Sequence, residues 1–121
     1  MICRFLFKEE IEMAKHQFGI MSLSPKLNER YDSYEPEKYD CIPILDDYIE
    51  PLLEKLACIQ CYWHTLERPE RGLAYCGITL IPPSSIEQFV ECLKGKVGTE
   101  ELIKLLLKAK EEKKFVIHFG I

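Results

Sequence analysis

QCYWHTLERPERGLAYCGITLIPP, residues 60–83, is the stretch that decides how this chain folds. Its first seven residues are rich in Tyr, Trp and Thr, side chains that suit a pleated, half-buried surface. Leu73 to Ile81 is the strongest strand in the sequence, and Pro82-Pro83 ends it. Between the two, Glu67-Arg68-Pro69-Glu70-Arg71-Gly72 reads as a charged turn. The pattern predicts an antiparallel hairpin of 60–66 with 73–81. Side chains alternate along a strand, so Ala74, Cys76, Ile78 and Leu80 share one face, expected to be the core face.

Downstream, Ser84 or Ser85 is placed to cap a helix that runs to about Lys94, with Glu87 and Gln88 each three residues after a serine. Ile86, Phe89, Val90 and Leu93 form its buried stripe, and Gly95 suits the position just past its end. Gly98-Thr99 opens a second helix over 99–113, with Leu102, Ile103, Leu106 and Ala109 inward. Residues 115–119 close as a strand, with Phe115, Ile117 and Phe119 facing the core and His118 on the opposite face with Val116.

Upstream, Asp47-x-x-Glu50 resembles a capping box, and Ile49, Leu52, Leu53 and Leu56 follow at helical spacing, predicting a helix over 47–57. Residues 41–45 form a short apolar run that Pro43 restricts to an edge strand. Residues 22–40 read as a long loop, which is unusual and often functional. Ile11, Ala14 and Phe18 at helical spacing, with Gly19 as a stop, predict a helix over 8–18, and residues 2–7 a short strand. The sum is a single α+β domain spanning 1–121: a mostly antiparallel sheet with about three helices on one face. The other face is either exposed or packed by the 22–40 loop.

Composition narrows the class. With 121 residues, 47% of them apolar, the chain is too hydrophobic for disorder and suits one domain that buries roughly two-thirds of its unfolded surface. Acids outnumber bases 20 to 16, a net charge of −4, which argues against a nucleic-acid partner. No apolar run approaches the roughly 20 residues of a membrane span. The apolar residues between Arg4 and Lys8 are too few for a secretion signal. The expected compartment is the cytoplasm. The cysteines, Cys3, Cys41, Cys58, Cys61, Cys76 and Cys92, are too sparse for a disulfide scaffold and read as reduced core thiols.

Motifs for chemistry are few. Phosphate loops, GxSxG and HExxH are absent, and no cofactor is expected. Cys58-Ile59-Gln60-Cys61 with His64 supplies three candidate zinc ligands, and Cys76 a candidate nucleophile near a histidine. These define one reading, a small thiol- or zinc-dependent enzyme centred on Cys58, Cys61, His64 and Cys76. The context opposes it: a helix enters the CxxC and a strand leaves it, the reverse of a thioredoxin-like site, and alternation sends Cys61 and His64 to opposite faces. The three histidines, His16, His64 and His118, are too scattered to specify a site.

Charge is distributed more tellingly. Residues 29–55 hold nine acids against three bases, a net of −6, whereas 94–114 carry seven lysines against four glutamates, a net of +3. Tyr31, Tyr34, Tyr39 and Tyr48 interleave with the acids. Tyrosine is enriched at interfaces because it offers large contact area at low entropic cost. The leading expectation is therefore a binding domain, leaning away from an enzyme. It would dock a basic protein through Tyr31, Asp32, Tyr34, Glu35, Glu37, Tyr39 and Asp40, with steering by opposite charge. Small acidic immunity or antitoxin proteins, which neutralise toxic nucleases, are one class with this size and charge profile.

Overall fold

A computed structural model describes residues 14–121, which form a single α+β unit. Six strands, β1 (Lys15–Ile20), β2 (Ile42–Leu45), β3 (Gln60–Trp63), β4 (Pro69–Arg71), β5 (Ile78–Ile81) and β6 (Val116–Phe119), make one antiparallel sheet in the order β2-β1-β6-β5-β3-β4. Four helical pieces accompany it: α1 (Asp46–Ile49), α2 (Leu53–Leu56), α3 (Pro83–Leu93) and α4 (Glu100–Glu111). A 3-10 turn, Glu50–Leu52, joins α1 to α2 and contains Pro51, which cannot donate the α-helical bond. None of the helices in the described residues is long and apolar enough to cross a membrane.

β3 and β5 pair antiparallel as expected, with Tyr62 opposite Leu80 and Trp63 opposite Thr79. Both are shorter than the hairpin read from sequence. His64 adopts φ +66°, which ends β3, and residues 73–77 are loop. The segment expected to be a charged turn contains β4, which pairs along the free edge of β3. Its Pro-Glu-Arg composition suits an outer strand that must not recruit another chain.

The largest departure is at the N-terminal side. Lys15–Ile20 is a strand, not part of a helix over 8–18. His16 and Phe18, both fully buried, alternate toward the helices, and the polar identity of His16 disguises that period of two. Residues 8–13 of that expected helix, and the expected strand 2–7, lie outside the described residues. Gly19 is not a helix stop. It lets the chain at 39–41 approach the strand, since a Cβ there would lie 2.7 Å from both the Tyr39 carbonyl oxygen and the Cys41 sulfur.

Both sheet faces are covered. Phe18, Ile44, Cys61, Ile81 and Val116 meet Ile49, Leu52, Leu56, Ile86, Phe89, Leu93, Leu102 and Leu106 from the helices. Ile78, Leu80, Ile117 and Phe119 face the other way and are sealed with Met21 by Tyr31, Tyr39, Tyr62 and Leu66. The expected facing of the last strand is thus inverted: Val116 and His118 look toward the helix layer, Ile117 and Phe119 toward the 22–40 loop. The helix starts differ too. Pro83 begins α3 with no side-chain cap, and the Ser85 hydroxyl instead donates to the Gln60 carbonyl at 2.6 Å. No side chain caps α1 either, because the Asp46 carboxylate is bonded elsewhere and Asp47 lies inside the first turn.

Candidate functional site

The acidic loop is nailed to the sheet at a few points. Tyr31 donates its N–H to the His64 carbonyl at 2.7 Å. His64 Nδ1 lies 3.0 Å from the Tyr31 carbonyl oxygen and 3.0 Å from Asp32 Oδ1, while Nε2 receives the Ile78 N–H at 3.4 Å. That pattern places the imidazole proton on Nδ1. His64 therefore serves as a clamp between loop and sheet. Tyr31 also donates its hydroxyl to Glu29 at 2.8 Å. Burial, then Glu29, pushes the Tyr31 hydroxyl up to about 12, and the same bond holds the Glu29 carboxyl below its usual range. Arg30 forks onto both oxygens of Asp32 at 2.9 and 3.2 Å, which lowers the Asp32 carboxyl.

Tyr39 is half-buried against Phe119, at 6.1 Å between ring centroids. A 3-10 turn, Pro36–Tyr39, and Asp40 at φ +49° turn the chain back into β2. Of the seven residues expected to bind a partner, Tyr31 and Tyr39 are thus anchors. Asp32, Tyr34, Glu35, Glu37 and Asp40 are exposed. Tyr34 meets Phe119 edge-on at 5.6 Å between ring centroids yet stays 65% exposed, and Leu23 and Leu27 on the same loop are 81% and 63% exposed.

A second constellation is buried at one end of the helix-side face. Thr79 stands opposite His118 across β5 and β6, and His16 lies diagonally across β1 and β6. Thr79 Oγ1 accepts the Ala74 N–H at 2.8 Å, so its own proton points to His118 Nδ1, 3.0 Å away. His118 then carries its proton on Nε2 and donates to His16 Nδ1 at 2.8 Å. His16 Nε2 donates to Asp46 Oδ1 at 2.9 Å, and Tyr75 donates to Asp46 Oδ2 at 2.7 Å. Every donor runs toward one carboxylate, and both imidazoles are neutral. Burial lowers His16 against the opposing pull of Asp46, and burial, then His16, takes His118 well below its usual value. Burial and Asp46 push Tyr75 up to about 12. No buried side-chain nitrogen or oxygen among the described residues lacks a partner.

Sequence reasoning missed this chain. His16 and His118 are 102 residues apart, and only the adjacency of β1, β6 and β5 joins them. One signal was present: once His118 and Thr79 are assigned to neighbouring strands, two polar residues at interior strand positions need each other as partners.

The cysteines do not assemble with His64. Cys61 is buried under the helices, Cys58 is exposed beyond α2, and His64 is bonded to the loop. Among the described residues no group of three His, Cys, Asp or Glu side chains is arranged to hold a metal ion. Cys76, expected on a buried strand, is exposed in the 73–77 loop and has no hydrogen bond to a histidine. Burial pushes the Cys41 and Cys61 thiols up to about 12.

No family model, curated protein or solved structure matches this chain.

Proposed function

We propose that this protein is a small cytosolic binding domain that docks a basic protein through the exposed side of its 22–40 loop. The observation that carries the reading is the division of labour within that loop. Tyr31, Tyr39 and Met21 are turned inward, and His64 clamps the backbone, while Leu23 and Leu27 stand in solvent and Tyr34 rests one edge on Phe119 with most of its ring exposed, on a loop that also carries Glu29, Asp32, Glu35 and Glu37. The loop carries five acids against Lys26, Arg30 and Lys38, and exposed apolar side chains in a mainly acidic setting suit an interface with a basic protein, while a loop already held in place loses little entropy on binding. A cationic partner, such as a nuclease with a basic active-site cleft, would be drawn to it, as immunity and antitoxin proteins draw theirs.

The test compares wild type with Glu35→Lys/Glu37→Lys/Asp40→Lys as baits in extracts of the source cell. The expected result is a basic protein held by wild type, with association that slows as salt rises and falls at least tenfold in the variant at low salt. Equal capture by both baits, with the same rate and salt dependence, would overturn the reading.

A further inference from the structure

Cys58 and Cys92 form a pair that the CxxC spacing conceals. Cys58 follows the end of α2, and Cys92 lies in the last turn of α3. Both sulfurs sit against one atom: the Lys55 carbonyl oxygen is 3.2 Å from Cys58 Sγ and 4.0 Å from Cys92 Sγ. The two sulfurs can be no further apart than the sum of those distances, and Cβ rotation alone moves a sulfur by ångströms. They flank a groove of about 500 Å³ lined by Cys58, Ile59, Glu87, Gln88, Glu91 and Cys92. Cys58 is exposed and Cys92 half-buried, so a reagent reaches the first while the second waits beside it. Cys61, the other member of the CxxC, is fully buried in the helix-side core.

We infer that Cys58 and Cys92 are a reversible dithiol site that closes to a disulfide between the end of α2 and the last turn of α3. With a small disulfide such as oxidised glutathione as oxidant, the Cys58 thiolate attacks one sulfur, forms a mixed disulfide and expels one glutathione thiolate. The Cys92 thiolate then attacks Cys58 Sγ, forms the Cys58–Cys92 bond and expels the second glutathione thiolate. The two protons lost by the cysteines go to the two leaving thiolates, so two protein thiols are oxidised and one disulfide is reduced to two thiols. Burial, then the neighbouring Cys58, raises the Cys92 thiol, which fits the order of attack with the exposed cysteine first.

The test incubates the whole folded protein in a buffer of reduced and oxidised glutathione, blocks free thiols, and maps the cysteines by mass spectrometry. The expected product is one internal Cys58–Cys92 bond, two hydrogens lighter than the reduced chain and reversed by reductant, with Cys41 and Cys61 still free. Cys92→Ser should leave Cys58 carrying glutathione, and Cys58→Ser should leave Cys92 unmodified. A wild type that accumulates glutathione on Cys58 beside a free Cys92 would overturn the inference. So would a Cys58 bond to any other cysteine or to a second molecule. Cys58 is exposed and Cys92 half-buried at the edge of the helix-side core, and a matching elution volume and circular dichroism would show that both serine variants fold.

Discussion

At the residue scale, His118 and His16 make the strongest demand on the solvent. Both are fully buried and neutral, and their folded values lie below the 6.5 of a free imidazole. A depressed value stabilises the fold above the unfolded value and is lost as pH falls. Below about 6.5 the unfolded chain takes up protons that the folded chain refuses. Stability should therefore drop by up to about 1.4 kcal/mol per pH unit for each histidine, from about pH 6.5 down toward the folded values. Urea midpoints measured between about pH 7.5 and about pH 5.5 in a His64→Gln background, which removes the third imidazole, read this effect, because Glu29 and Asp32 titrate below that window. A flat profile there would contradict the neutral, fully bonded His16–His118 pair. The residues were legible one at a time, but their partnership was not. Strand alternation puts His118 on the face it shares with Val116, but only the packing shows that this face lies under the helices.

At the element scale, β1 is where reading by period fails and where packing can be tested. Ile11, Ala14 and Phe18 fit a helical spacing, yet residues 15–20 pair with β2 on one side and β6 on the other. The period of two is present in the burial, with His16 and Phe18 inward and Lys15 and Gln17 outward, but a polar residue at an inward position hides it from the sequence. Gly19 marks where the chain at 39–41 presses on the strand. Gly19→Val would force the Tyr39 carbonyl and the Cys41 sulfur away from the strand. The expected result is a loss of about 1–3 kcal/mol by denaturant titration, with faster trypsin cleavage after Lys26, Arg30 and Lys38 as the loop lifts. Unchanged cleavage would mean that the loop is not seated through Gly19. Helices α3 and α4 were legible almost to the residue, since each carries one apolar stripe facing one layer. The 47–57 helix was legible in extent, and Pro51 accounts for its break.

At the scale of the whole molecule, the 22–40 loop replaces a second helix layer. Its inward residues close the face formed by Ile78, Leu80, Ile117 and Phe119. Replacing residues 24–36 with a short Gly-Ser link would uncover that face. The shortened protein should bind a hydrophobic dye and elute from size exclusion as a larger species, while wild type does neither. Elution and dye binding identical to wild type would show that the loop is dispensable to the core. The same loop carries the proposed docking surface on its outer side, while its inner side is packing.

The sequence alone determined the class of the fold, the positions of α3, α4 and the closing strand, the edge character of Cys41-Ile42-Pro43, and the uneven distribution of charge. Each is written locally, in spacing, proline placement and composition. Only the tertiary structure decided which face of each strand is buried by what, that Tyr31 and Tyr39 are half-buried while Tyr34 stays mostly exposed at the edge of Phe119, that Cys58 and Cys92 share the Lys55 carbonyl, and that Thr79, His118, His16, Asp46 and Tyr75 form one chain of hydrogen bonds. The reason is the same in every case. Strand order and register bring together residues dozens of positions apart, and no local spacing encodes which strands become neighbours.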